Sequence, residues 1–159
     1  MNKRVKIVIL TVGRIRDSAL AGLCTEYAER IQRYGHSLNI EEVKEEPGSR
    51  EKAYILKKEA DRLRSRLGSN AYSVALDLSG RSCDSHGLAR RFEDLSRQGV
   101  KKVVFIVGGH LGLDPDLVSS CDWVLSLSPM TFPHELARLI LLEQLYRANT
   151  IIRGEPYHK

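Results

Sequence analysis

Cysteine is scarce in this chain of 159 residues, and the three present, Cys24, Cys83 and Cys121, lie far apart. They form no C-x-x-C, and no histidine stands at zinc spacing from them. A disulfide framework, a dithiol redox pair and a structural zinc site are therefore excluded. Three reduced thiols in or near the core are expected, with no metal. No apolar run reaches the roughly 20 residues of a membrane span, so no membrane partner is expected. The basic start Met1-Asn2-Lys3-Arg4 and the run Val5–Val12 pass straight into Gly13-Arg14-Ile15-Arg16. That is too short, and too soon charged, for a secretory signal, which makes the cytoplasm the expected location. The phosphate fingerprints G-x-G-x-x-G and G-x-x-x-x-G-K-[ST] are missing as well, so dinucleotide and nucleoside triphosphate binding are not supported. Internal repeats, low-complexity stretches and linkers are absent.

What remains is one domain by length, long enough to bury roughly 70% of its unfolded surface. With 42% hydrophobic and 28% charged residues it has the make-up of a folded globule rather than a disordered chain. A net charge of +5 favours a polyanionic partner, although many globular proteins are as basic.

Hydrophobic periodicity predicts alternating strands and helices. Val5–Val12 reads as a buried strand. A helix follows from about Ser18 to Tyr34, with Leu20, Leu23, Tyr27 and Ile31 on one face and Gly35 as its stop. Leu38–Val43 alternates as a strand. A charged helix spans Arg50 to Leu67, with Ile55, Leu56, Leu63 and Leu67 as its thin apolar side. Tyr72–Leu78 is a third strand closed by Ser79-Gly80. Asp84 or Ser85 caps a helix to about Gln98. Val103–Val107 is the fourth strand, Asp114-Pro115 opens a short helix, Trp123–Leu127 is the fifth strand, and Pro133 starts the last helix. Thr150-Ile151-Ile152 reads as an extended exit from that helix. This order argues for an α/β fold, a mostly parallel sheet with helices on both faces.

Two segments stand out. The fourth strand ends in Gly108-Gly109-His110-Leu111-Gly112, where glycines let a ligand approach the backbone. The fifth leads into Leu127-Ser128-Pro129-Met130-Thr131-Phe132-Pro133-His134. Loops at the carboxyl edge of such a sheet are the usual ligand site. The plain alternative is a tight turn and an ordinary loop. The final helix carries Leu136 to Ala148 with four consecutive apolar residues, more than one sheet-facing stripe requires. A twofold homodimer explains the surplus, and deep burial within one chain is the alternative. The chain closes with Pro156-Tyr157-His158-Lys159.

Those segments, with Leu142-Glu143-Gln144-Leu145-Tyr146-Arg147-Ala148 and the closing four residues, occur in one order along the chain. In this the chain resembles the RlmH family of SPOUT-class RNA methyltransferases over essentially its whole length. The resemblance implies a C-terminal trefoil knot, which periodicity does not show. It implies transfer of a methyl group from S-adenosyl-L-methionine to N3 of a pseudouridine in 23S ribosomal RNA; so small a domain offers little RNA-binding surface of its own, which favours an assembled ribosome (large subunit or 70S) as the substrate. The resemblance also implies a homodimer whose active site the partner completes. Carried over residue by residue, the cofactor contacts fall on Leu76, Gly108, Leu127, Ser128, Pro129, Met130, Thr131 and Phe132.

The reaction needs a base, or positive charge on the ring anion, and no metal. His134, beside the cofactor loop, and His158, in the tail, are candidate bases. Arg147 is placed to stabilise the ring and Tyr157 to stack on the target base. Arg14, Arg16, Arg138, Arg153 and Lys159 are candidate RNA contacts. Each has a bland alternative: a capping histidine, a dipole-complementing arginine, solvated loop charges, a disordered end. His110 reads as a loop residue, His36 and His86 as surface. No role is assigned to Arg81–His86. A flavodoxin-like enzyme and a catalytically silent RNA-binding protein are the rival readings.

Overall fold

The computed structural model describes residues 4–159, so the basic start Met1-Asn2-Lys3 lies outside the described residues. Strand and helix alternate throughout: β1 (Lys6–Val12), α1 (Ser18–Gln32), β2 (Ser37–Val43), α2 (Lys52–Leu67), β3 (Tyr72–Ser82), α3 (Ser85–Arg97), β4 (Lys102–Val107), α4 (Pro115–Ser120), β5 (Trp123–Ser126) and α5 (His134–Arg153). The strands form one sheet in the order β2-β1-β4-β3-β5, with every neighbouring pair parallel.

The period of two in the central strands divides the core in two. Ile7, Ile9, Val103, Phe105 and Val107 face α1, α3 and α5. Val8, Leu10, Val12, Val104 and Ile106 face α2 and α4. Both faces are covered, which is why β1 and β4 read as unbroken apolar runs. Each such side chain stabilises the fold by about 1.5–3 kcal/mol when withdrawn from water.

The helix ends follow from local chemistry. Asp17 caps α1 by accepting from Leu20 N at 3.0 Å, and Asp84, not Ser85, caps α3 through Gly87 N at 2.6 Å. Asp114 receives two amides ahead of Pro115, as expected. Gly154, at φ 68°, ends α5 in the left-handed region.

Several expectations are corrected. Thr150, Ile151 and Ile152 are not extended but belong to α5, because the Thr150 hydroxyl and the left-handed Gly154 carry the helix through another turn. β3 does not close at Gly80. It leaves the sheet after Leu76 and returns at Arg81-Ser82 to pair with Leu125-Ser126. A Cβ at Gly80 would lie 2.7 Å from the Val124 carbonyl, so only glycine lets the two backbones meet there. His36 is buried rather than on the surface: its ring accepts from Val5 N at 3.3 Å and reaches Asn149 Oδ1 at 3.0 Å. Cys24 is in the core, but Cys83 is exposed. Leu23 is also exposed, and Cys24 and Ile31 form the buried seam of α1. Leu141 and Leu142 are completely buried within the chain, so the intramolecular alternative accounts for them.

Candidate active site

Because β4, β3 and β5 are parallel neighbours, their carboxyl ends lie side by side. Leu76 stands where β3 leaves the sheet, Gly108 follows β4, and Leu127 to Phe132 follow β5. The sheet thus brings all eight proposed cofactor residues to one edge. Two large apolar side chains are exposed there, Leu78 at 57% and Met130 at 73%. Within the loop, Met130 N donates to Ser128 Oγ at 3.0 Å, and Ser126 Oγ donates to Ser128 O at 3.0 Å. Among the described residues, the amides of Thr131 and Phe132 make no backbone hydrogen bond. Exposed apolar walls beside uncommitted backbone donors suit a nucleoside-sized ligand.

For Gly108 the tight-turn alternative has direct support. A Cβ at Gly108 would lie 2.4 Å from the Gly112 carbonyl oxygen. Gly108 therefore serves the close return of its own turn, which a Gly109–Gly112 bridge closes, before any ligand is considered.

A cleft of about 710 Å³ opens beside this edge, lined by Gly13 to Arg16 and Glu42 to Glu45. It lies at the carboxyl ends of β1 and β2, and β1 adjoins β4. Arg14 and Arg16 are exposed on its wall. The Arg16 amide donates to Glu135 Oε1 at 2.6 Å, which ties the β1 loop to the helix turn that carries His134. His110 Nδ1 lies 3.3 Å from Glu45 across the glycine turn. Beneath that turn Glu59 is 4% exposed. Burial raises its pKa, and the Glu46 amide it accepts at 3.1 Å opposes that rise. Among the described residues, the His134 ring has no hydrogen bond or ion pair, which leaves both ring nitrogens available.

Arg138 does not reach this surface, contrary to expectation. Its side chain is 1% exposed, donating to Glu42 Oε1 at 3.0 Å and to the Gly13 carbonyl at 3.1 Å. A contact with RNA would pull the guanidinium away from the Glu42 carboxylate. The residue braces the cleft from behind.

The tail is ordered against α5. Arg147 donates to Glu143 Oε1 through Nη2 at 2.6 Å and Nε at 3.1 Å, and the Tyr157 hydroxyl donates to the same oxygen at 3.0 Å. The Arg147 guanidinium lies 4.7 Å from the Tyr157 ring centre. Tyr157 meets Tyr146 edge to face at 4.8 Å, and Tyr146 in turn packs near Tyr27 and Tyr34. Burial, then hydrogen bonding to Tyr27 and Glu143, pushes the Tyr157 phenol well above its usual range, so it is neutral at physiological pH. Arg147 Nη1 lies 3.2 Å from His158 Nδ1. A guanidinium only donates, so Nδ1 accepts and the neutral ring carries its proton on Nε2. The His86 ring meets His158 edge to face at 4.7 Å. His86 is on the surface as expected, yet the unassigned segment after β3 touches the tail through it.

These groups do not all meet in one chain. His134 opens α5, and Arg147 stands about 20 Å further along the axis at 1.5 Å per residue. Arg153 closes the helix beyond that. The sequence reading missed Glu143, Glu135 and Glu42, which position the candidate residues. A carboxylate one turn before Arg147 was the available signal for Glu143. Nothing local marks Glu42, whose partner is far away in sequence.

The comparisons agree with this architecture. The family model described as a predicted SPOUT methyltransferase matches residues 5–158. A solved structure of a probable methyltransferase from Bordetella pertussis superposes with a TM-score of 0.52 at 18% identity, over 91% of this chain and 96% of that one, a likeness of fold. The fold is that of a SPOUT-class α/β methyltransferase. The relative called ribosomal RNA large subunit methyltransferase H in Acetivibrio thermocellus is 44% identical over 98% of this chain and all of its own length. The protein of the same name in Bifidobacterium adolescentis is 40% identical with the same coverage. The chain belongs to the SPOUT methyltransferase family and, within it, to the RlmH group. Among the described residues no helix is long and apolar enough to cross a membrane, and no cluster of ligands could hold a metal ion.

Proposed function

We propose that this enzyme methylates N3 of a pseudouridine in 23S ribosomal RNA with S-adenosyl-L-methionine, acting on the assembled ribosome as a cytoplasmic homodimer. One observation carries the reading: Leu76, Gly108 and Leu127 to Phe132, far apart in sequence, converge on the carboxyl edge of three adjacent strands. The names of the full-length relatives support large-subunit ribosomal RNA as the substrate, and the resemblance supports N3 of a pseudouridine within it.

The bound cofactor supplies an electrophilic methyl group on a sulfonium. The chain's own work is to hold the cofactor, orient the base and manage the N3 proton. Leu76 and Met130 form apolar walls, and the amides of Thr131 and Phe132 hydrogen-bond the cofactor's polar edge. The cleft carrying Arg14 and Arg16 takes the RNA backbone beside it. His134, with both ring nitrogens uncommitted, takes the N3 proton. His158 has its one lone pair on Arg147, which suits it to donate from Nε2 to a ring carbonyl. Arg147 adds positive charge for the ring anion, and neutral Tyr157 stacks on the base. The tail stands at the far end of α5 from His134, so a twofold dimer that lays one chain's tail against its partner's cofactor edge brings the two groups together.

Mass spectrometry of 23S rRNA from cells with and without the gene tests the reading. Loss of one methyl group on one pseudouridine when the gene is removed is the expected result. An unchanged modification pattern would overturn it.

A further inference from the structure

A second cleft, of about 400 Å³, lies where α1 and α5 end, lined by Arg30, Arg33, Tyr34, Tyr146, Arg153 and Glu155. None of the cofactor residues and none of the β1-loop arginines borders it. Its charges are unevenly matched. Arg30 pairs with Glu26 and lies 5.1 Å and 5.5 Å from the ring centres of Tyr27 and Tyr146. Glu155 takes the Tyr34 hydroxyl at 2.5 Å. Among the described residues, Arg33 and Arg153 have no carboxylate partner, and Arg153 lies 5.9 Å from the Tyr34 ring centre. Both side chains are exposed.

A helix C-terminus favours a cation in its last turn, and Arg30 and Arg153 already supply one to each helix. Arg33 is surplus to that need, and so are two tyrosine rings lining the same space. Forked guanidiniums match phosphate oxygens, and tyrosine faces match a nucleobase. Position adds to chemistry: Tyr146, on the wall of this cleft, is 4.8 Å from Tyr157 in the tail. The cleft and the tail constellation form one continuous surface.

We propose that this cleft holds a nucleotide of the ribosomal RNA flanking the modified base, with its phosphate on Arg33 and Arg153 and its base against Tyr34. The inference rests on the reading of the enzyme as an rRNA methyltransferase whose tail reaches the target. It makes the tail end of α5 an RNA anchor as well as a supplier of reactive groups.

The test measures binding of the full-length protein to purified ribosomes over a range of salt concentrations. It compares wild type, the double variant Arg33→Ala/Arg153→Ala and the charge-keeping Arg33→Lys/Arg153→Lys. The alanine pair should weaken binding about tenfold or more and make the slope of log K against log salt shallower by about one to two. Its melting temperature and its affinity for S-adenosyl-L-methionine should match wild type, and the lysine pair should recover most of the binding and slope. Unchanged affinity and slope in the alanine pair would overturn the proposal. Placing benzoylphenylalanine at position 34 separates the partners: a photo-crosslink to rRNA supports the inference, and one confined to a ribosomal protein overturns it. Failure of the underlying reading looks different, because wild type would then leave the rRNA unmethylated in the same preparation.

Discussion

Glu143 and Tyr157 meet at 3.0 Å, on the carboxylate oxygen that also receives Arg147. Glu143 thus anchors the tail to α5, beside the contacts that Tyr146 and Arg147 make with Tyr157 and His158. Deleting Pro156 to Lys159 removes a packed tyrosine and a charge-assisted hydrogen bond, so it should cost about 1–2 kcal/mol of stability. Methyl transfer to ribosomes should fall far more. Glu143→Gln should keep the fold and cofactor affinity but lower single-turnover transfer about tenfold by slackening the tail. Tritiated methyl incorporation measures both, and full activity in the truncated protein would remove the tail from the mechanism.

The two candidate histidines should separate by pH. With His134 as the base, the acid limb of the kcat profile should flatten in His134→Ala and persist, at a lower rate, in His158→Asn, since asparagine can still accept from Arg147. A limb that vanishes only in the His158 variant would reverse the two roles.

Gly108→Ala should damage the fold before it damages chemistry. The new methyl would overlap the Gly112 carbonyl, a backbone atom that cannot swing aside, and a loss of about 1–3 kcal/mol is expected. Cofactor affinity, read by calorimetry, should fall with it. Wild-type stability in thermal unfolding would show the turn to be softer than its geometry implies.

His36 makes stability depend on pH. Burial lowers its pKa from 6.5, outweighing the favourable bond to Asn149. The unfolded chain therefore binds the proton more readily than the folded one. The contribution of neutral His36 is complete above pH 6.5 and is lost as pH falls below it, by up to about 1.4 kcal/mol per unit until the folded value is reached. Urea unfolding at pH 7.5 and pH 5 should show a larger drop for wild type than for His36→Gln. Equal drops would mean that other groups carry the acid sensitivity.

The proposed dimer is tested at Ile140. Leu141 is fully buried in the chain's own core, and a carboxylate there would unfold the protein without reporting on assembly. Ile140 is partly exposed and lies outside both core clusters. Ile140→Glu should leave a folded protein that sediments as a monomer and transfers no methyl group. A wild-type monomer at micromolar concentration would remove the shared site.

The alternation of elements was legible because buried strands leave continuous apolar runs and because Asp84 and Asp114 announce helix starts. The order of the strands was not, since which parallel neighbours pair is decided by packing between distant segments. Gly80 shows the difficulty: it reads as a strand terminator, and only the backbone of β5 against it reveals a strand that resumes. The family pattern pointed to the proposed cofactor loops, whereas nothing pointed to the placing of Arg138. An arginine on a helix face looks solvated unless its partner, Glu42, is known to stand opposite.

That buried pair has a mechanical consequence. Arg138 is bonded at once to the Gly13 carbonyl and to Glu42, while the Arg16 amide is bonded to Glu135 one turn earlier on the same helix. Swinging the β1 loop away from α5 would strand a guanidinium in the core. Arg14, Arg16 and His134 are therefore mounted on one braced block, whereas among the described residues the loop from Leu127 to Phe132 is held only by side-chain bonds local to its own turn, so any adjustment to a bound ligand falls to that loop.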